Sequence, residues 1–252
     1  MAVVSGSPRG EDAQLDDVNS RVRRAIASLP YLADKLNEIE AVLGRPVAFV
    51  IDPVLAGQAG GKAACPEGVV SLSPESVDNL SVIGEEIMHL HRCTRGYPAI
   101  VPGVRSVLLG YKSGLQALSG FFDEHAFFPF LESLGLDPRA PIGARMEPTA
   151  RALEAQMHDI QREGFTEAWR VNLAAAYVQA ALMAPPTPGR DRLLALFDRP
   201  VLCQYRDLGR TVCAAIDLTV NQQPDQVERT MTSCVRDVLN LTDDAATIRR
   251  WF

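Results

Sequence analysis

The chain has 252 residues, a formal net charge of −6, and a composition of 47% hydrophobic and 22% charged residues. This composition is typical of a folded globular protein and excludes a largely disordered chain. The acidic balance, with no dense cluster of Lys and Arg, predicts that the protein has no nucleic-acid partner. The sequence has no apolar run of about 18 residues, so we expect no membrane partner either.

The cysteines are odd in number, widely spaced and without a C-x-x-C pair. This usage is more typical of reduced thiols in a cytoplasm than of a disulfide framework. The start of the chain also lacks the charged and apolar segments of a signal peptide. We therefore predict a cytoplasmic protein in which most of the five are small core residues: Cys65, Cys93, Cys203, Cys213 and Cys234.

The first part of the chain predicts two helices and then a strand. Residues 1–17 are rich in Ser, Gly, Pro and acidic residues, and they predict a mobile leader. Apolar residues at three- and four-residue intervals from Leu15 to Leu43 predict a helical segment, which Pro30 splits or kinks. The β-branched run at residues 47–51 predicts the first strand.

A second strand and a helix follow. Residues 56–62 are rich in Gly and Ala and predict a loop, whereas residues 68–73 predict a strand that Pro74 ends. Apolar residues at helical spacing from Leu80 to Leu90 then predict a helix directly after a strand. The loop predicted for residues 92–102 contains Gly and Pro.

Helices dominate the rest of the chain. A helix is predicted at about residues 113–134, and five more follow at about 147–163, 166–183, 190–197, 201–220 and 223–241. The predicted fold class is α+β and predominantly helical, with a small sheet packed on the helix at residues 80–93. The predicted domains are the leader 1–17, an α+β core at 18–138, and a helical C-terminal region at 139–252 that packs on the core.

The segment from Gly84 to His91 concentrates acidic and imidazole side chains. Residues i and i+4 of a helix share a face, so Glu85 and His89 project together, with Glu86 one residue around. In the zinc-protease pattern H-E-x-x-H, two such His bind zinc and the Glu is the general base. Glu85 stands here at the position of the first His.

A second carboxylate and imidazole pair, Glu124-His125, follows within a Phe-rich helical stretch. Together the two segments resemble the zincin metallopeptidases of the Glu-ligand, or gluzincin, type, over roughly residues 47–134. The resemblance implies a Zn²⁺ cofactor, Glu86 as general base, and His89 and Glu124 as metal ligands. It also implies a hydrolase that acts on the peptide or amide bonds of a peptide or protein partner.

The departure at Glu85 leaves several alternatives open. A carboxylate at this position can bind Zn²⁺, although zinc affinity generally depends on nitrogen or sulfur ligands. A second possible ligand set consists of Glu85, His89 and His125, which again gives three ligands. In this set Glu124 does not bind the metal but orients one of the ligands. Another alternative is that the site no longer binds a metal. The protein is then an inactive zincin-like interaction or sensor module. A further alternative is a wholly helical binding protein, in which Glu85 and His89 are only surface groups.

Three weaker patterns in the sequence also suggest functional residues. The resemblance suggests Tyr97 or Tyr111 as a stabiliser of the oxyanion. Cys65 with His89 has the composition of a nucleophile pair. Residues 57–62 resemble a phosphate loop but lack its spacing.

Overall fold

The computed structural model of the chain describes residues 9–56 and 60–252, with the backbone alone for residues 9–16. The chain forms two compact units, Met1–Thr94 and Arg95–Phe252. Helices predominate and two small sheets accompany them, which confirms the predicted α+β class. Of the predicted mobile leader, residues 1–8 lie outside the described residues. The domain limits predicted at residues 17 and 138 stay predictions.

The first unit opens with two helices, α1 (Arg9–Ile26) and α2 (Pro30–Leu43). Pro30 occupies the first position of α2, where its missing N–H leaves no hydrogen bond unmade. Gly44 ends α2 in the left-handed conformation, at a φ of 67°. The helix break predicted at Pro30 is therefore confirmed.

Three short strands follow: β1 (Ala48–Ile51), β2 (Gly61–Ala64) and β3 (Val69–Leu72). They form one mixed sheet in the order β1-β3-β2, in which β1 runs parallel and β2 antiparallel to β3. The two predicted strands are confirmed. The loop predicted for residues 56–62 is wrong at Gly61 and Lys62, which belong to β2. Its Gly and Ala residues have low strand propensity, and pairing with β3 compensates for this.

Helix α3 (Leu80–Thr94) carries the Glu- and His-rich motif and contacts β2 and β3. Asn79 caps its start, because the side-chain oxygen accepts hydrogen bonds from the backbone N–H groups of Ser81 and Val82. The predicted order of strand and then motif helix is confirmed. So is the packing of a small sheet on that helix.

A disulfide joins Cys65, in the turn after β2, to Cys93, in the last turn of α3. The prediction of reduced thiols is wrong for this pair. Their sequence separation of 28 residues gives no local signal, because only the packing of β2 on α3 brings them together. The remaining cysteines are free thiols, of which Cys234 is buried and Cys203 and Cys213 are partly exposed.

In the second unit, β4 (Ala99–Pro102) pairs antiparallel with β5 (Ala246–Arg249). Sequence reasoning missed both strands, and β4 lies in the segment predicted as a loop. Its partner is about 150 residues away, so a local pattern cannot reveal the pairing.

The helices of the second unit confirm the predicted helical C-terminal half. They are α4 (Val104–Leu108), α5 (Lys112–Ser133), α6 (Ala140–Glu163), α7 (Glu167–Val178), α8 (Pro188–Leu196), α9 (Cys203–Thr219) and α10 (Pro224–Ser233). Single π-helical turns at Gln179–Met183 and Cys234–Val238 extend α7 and α10. Among the described residues, no helix is long and apolar enough to cross a membrane.

Candidate metal centre

The burial pattern of α3 leaves one stripe of side chains accessible. Ile83, Ile87 and Leu90 are fully buried on the face that packs into the core. Glu85 and His89, one turn apart, remain partly exposed. The apolar spacing of the helix therefore turns its two candidate ligands away from the core.

The structure brings Glu124 of α5 to this pair. The ligand atoms of Glu85, His89 and Glu124 all lie within 4.8 Å of one another, and each residue is partly exposed. Among the side chains of residues 17–56 and 60–252, this is the single group of three or more His, Cys, Asp or Glu with such spacing. These three are the candidate metal ligands.

Glu124 owes its position partly to a glycine one turn earlier. A Cβ atom at Gly120 would lie 2.6 Å from Oε1 of Glu124, so the carboxylate occupies space that any other residue would fill. The residues at i and i+4 share a helix face, which explains why this glycine and not another makes the room.

His125 stands apart from the group. Its Nε2 atom lies 2.8 Å from Oδ1 of Asp217 on α9. Successive residues on a helix point about 100° apart, so Glu124 and His125 face different directions. The alternative ligand set of Glu85, His89 and His125 therefore gains no support from the structure.

Glu86 is the buried member of the motif, with 6% of its surface exposed. Burial raises the pKa of its carboxyl to about 7, and the Glu85 charge adds to this rise. The neighbouring His89 and a hydrogen bond from the backbone of Ala63 act in the opposite direction on the pKa. A carboxylate with a pKa near neutrality suits a general base.

Strand β2 lies directly against Glu86. A Cβ atom at Gly61 would sit 2.8 Å from Cγ and 3.1 Å from Oε1 of Glu86. Sequence reasoning missed this contact and the Ala63 hydrogen bond. The available signal was Gly61, within a Gly- and Ala-rich segment at 59–64, since Gly in a strand often marks the close approach of another group.

Other predicted site residues have different partners. The Tyr97 hydroxyl donates to the carbonyl of Gln222 at 3.3 Å, and the Tyr111 hydroxyl donates to Glu167 at 3.0 Å. Burial and the Glu167 contact raise the pKa of Tyr111 to about 12. The oxyanion role predicted for these tyrosines gains no support.

Three further sequence signals fall on Cys65, on residues 57–62 and on the Phe-rich stretch of α5. The predicted Cys65 nucleophile is wrong, because its sulfur is in the disulfide. The weak phosphate-loop signal falls partly on residues 57–59, outside the described residues. The Phe-rich stretch around the second pair is a core wall, because four of its five phenylalanines are almost fully buried: Phe121, Phe122, Phe127 and Phe128.

The donor set fits a divalent cation. One imidazole and two carboxylates supply three ligands, and catalytic zinc sites use three protein ligands and keep one position open. The high share of oxygen donors suits Mn²⁺ as well as Zn²⁺. The group could therefore hold a metal ion, and its composition does not select the element.

No protein-family model, curated protein or solved structure matches this chain. The case for the metal centre therefore depends on the chemistry and spacing of Glu85, His89 and Glu124.

Proposed function

We propose that the protein is a metal-dependent hydrolase of peptide or amide bonds. The observation that carries the proposal is the group Glu85, His89 and Glu124, of which Glu85 and His89 share helix α3 with the buried Glu86. A bound divalent cation in such a site lowers the pKa of water and polarises a carbonyl group. Zn²⁺ is the cation we propose, following the resemblance to gluzincins.

Glu86 supplies the proton chemistry in this proposal. Its raised pKa, about 7, lets the carboxylate take a proton from a nucleophilic water at neutral pH and pass it to a leaving amine. The hydrogen bond from Ala63 fixes the direction of the carboxylate, because it engages one of the oxygens. His89, Glu85 and Glu124 serve as ligands and take no proton.

The sheet supports a peptide or protein as the substrate. β2 is an edge strand, and it runs past Glu86. An edge strand can align an extended peptide through backbone hydrogen bonds, which suits a substrate with regularly spaced amides. A small compact amide would make no use of this edge.

The deciding experiment is elemental analysis of the purified protein beside its His89→Ala and Glu124→Gln variants. We expect the wild type to hold zinc and both variants to lose most of it. His158→Ala is the matched control, because this imidazole is 86% exposed and should leave the zinc content unchanged. Equal, near-zero zinc in all four proteins would refute the proposal.

Activity is tested separately with Glu86→Gln and a quenched fluorescent peptide library. We expect this variant to keep its zinc and lose turnover, because glutamine cannot accept the proton. Turnover equal to that of the wild type would remove Glu86 from the mechanism.

A second candidate function is an inactive zincin-like interaction or sensor module. Glu85 favours it, because a site with one nitrogen ligand holds Zn²⁺ less firmly than a site with two. The substitution Glu85→His separates the candidates. In an inactive protein it should create zinc binding that the wild type lacks, whereas in a hydrolase the wild type already binds zinc.

The predicted cytoplasmic location stays a prediction. The Cys65–Cys93 disulfide argues against it, because such bonds persist mainly in oxidising compartments.

A further inference from the structure

The Cys65–Cys93 disulfide lies at one end of the candidate site. Cys65 directly follows β2, and Cys93 lies one helical turn after His89 on α3. The loop that this bond closes contains Glu85, Glu86 and His89. Both anchors belong to the first unit, so the bond acts within that unit.

The two cysteine residues differ in accessibility. Cys65 is partly exposed and is followed by the exposed residues Pro66 and Glu67, whereas Cys93 is 9% exposed. A thiol from solution therefore reaches the Cys65 side of the bond first. Accessible disulfides exchange more readily than buried ones.

The bond also fixes the strand that contacts Glu86. Ala63 and Ala64 are the last residues of β2, and Ala63 donates its backbone hydrogen bond to the Glu86 carboxylate. With the disulfide closed, the end of β2 is covalently attached to the last turn of α3. Without it, hydrogen bonds to β3 and side-chain packing alone hold the strand in place.

We propose that the Cys65–Cys93 disulfide is a thiol-exchangeable modification site whose reduction by a dithiol releases the end of β2 from α3. A thiolate of the dithiol attacks the sulfur of Cys65, forms a mixed disulfide, and expels the sulfur of Cys93 as a thiolate. The second thiol of the reductant attacks its own sulfur in the mixed disulfide and releases Cys65. The protein gains two electrons and two protons, and the dithiol becomes a disulfide.

Reduction then regulates the candidate metal site. The freed strand holds Glu86 less firmly, and the last turn of α3 frays towards His89. We expect zinc to bind several-fold more weakly in the reduced protein. This consequence rests on the proposed function, whereas the exchange and the release of the strand do not.

The test measures amide hydrogen exchange of the metal-free protein, before and after treatment with excess dithiothreitol under native conditions. Mass spectrometry of alkylated protein reports the state of the cysteines. We expect complete reduction of Cys65–Cys93 in the folded protein, and exchange at Ala63 and in the last turn of α3 that is about tenfold faster or more. Exchange within α8 of the second unit, which packs on α6, should change much less.

Two variants control the result. Cys203→Ser/Cys213→Ser keeps the disulfide and removes two partly exposed free thiols, so it should respond to dithiothreitol as the wild type does. Cys65→Ser/Cys93→Ser should show fast exchange from the start and no response to the reductant. If this double variant fails to fold, the measurements on the reduced wild type still test the proposal.

Two results would overturn the proposal. One is a bond that resists dithiothreitol until the protein is unfolded. The other is full reduction without faster exchange at Ala63. If both measurements succeed and neither form binds zinc, the proposed function fails and the modification site stands.

Discussion

At the scale of single residues, Glu86 has the most unusual environment in the motif. It is a carboxylate that is almost fully buried beneath a strand, and burial raises its pKa to about 7. Its two neighbours in the motif, Glu85 and His89, stay partly exposed. One turn of α3 therefore carries two partly exposed side chains, the candidate ligands, and one buried carboxylate, the candidate base.

The raised pKa of Glu86 predicts how stability depends on pH in the metal-free protein. Between about 4.5 and about 7, the folded carboxyl binds a proton that the unfolded one has lost. The stabilisation is therefore complete below pH 4.5 and is lost as pH rises through the folded pKa. Relative to Glu86→Gln, we expect the wild-type free energy of unfolding to fall by on the order of 3 kcal/mol across this range.

Urea unfolding of both proteins between pH 4 and 8 measures this difference. The comparison with this variant cancels the contributions of titrating groups that do not interact with Glu86. Parallel curves for the two proteins would show that the pKa of Glu86 is not raised in solution.

Gly61 predicts a second residue-scale effect. Its substitution by alanine places a methyl group 2.8 Å from Cγ of Glu86 and 3.1 Å from Cδ2 of Leu72, so Glu86, the proposed base, must move. We expect Gly61→Ala to lower kcat about tenfold or more with little change in zinc content, because a small misplacement of a base is costly. The loss of stability should be about 1–3 kcal/mol.

Gly60→Ala is the matched control for this substitution. Its added Cβ meets nothing within 4 Å, so kcat and stability should stay near those of the wild type. Equal kcat values for the Gly60 and Gly61 variants would contradict a positioning role for Gly61.

At the scale of elements, α3 joins the sheet to the candidate site. Asn79 defines the start of the helix, and the turn at Gly96 follows its end. Packing on β2 and β3 sets its orientation. The candidate ligands Glu85 and His89 lie one turn apart on α3, so their spacing depends on an intact helix.

Asn79 therefore predicts an element-scale effect. Asn79→Ala leaves the N–H groups of Ser81 and Val82 without their side-chain acceptor. We expect a loss of about 1 kcal/mol in the free energy of unfolding. Asn79→Asp is the control and should retain most of the stability, because aspartate caps equally well. Equal unfolding midpoints for the Ala and Asp variants would contradict the cap.

At the scale of the whole molecule, the first and last elements of the second unit, both strands, pair with each other. β4 pairs with β5, and Arg250 after β5 contacts Asp225 and Glu228 of α10. Ile100 of β4 is buried, so the pairing also protects the core.

Deletion of residues 246–252 should consequently destabilise the second unit. The deletion exposes the buried Ile100 and leaves the backbone groups of β4 without partners. We expect the midpoint of thermal unfolding to fall by several degrees or more. Deletion of Trp251 and Phe252 alone should have a smaller effect, and equal midpoints for the two truncations would refute this role of β5.

The sequence by itself determined the helices, two of the strands, and the residues Glu86 and His89 as a pair on one helix. These features depend on local periodicity and on chain-breaking residues such as Pro30 and Gly44, which act over a few residues. The candidate ligand Glu124 was also visible, although the sequence left it open against His125.

Only the tertiary structure decided the rest. It grouped Glu124 with Glu85 and His89, paired His125 with Asp217, and joined Cys65 to Cys93. It also paired β4 with β5 and laid β2 against Glu86. Each of these outcomes depends on contacts between residues that are distant along the chain, and such contacts leave no periodic signal in a single sequence.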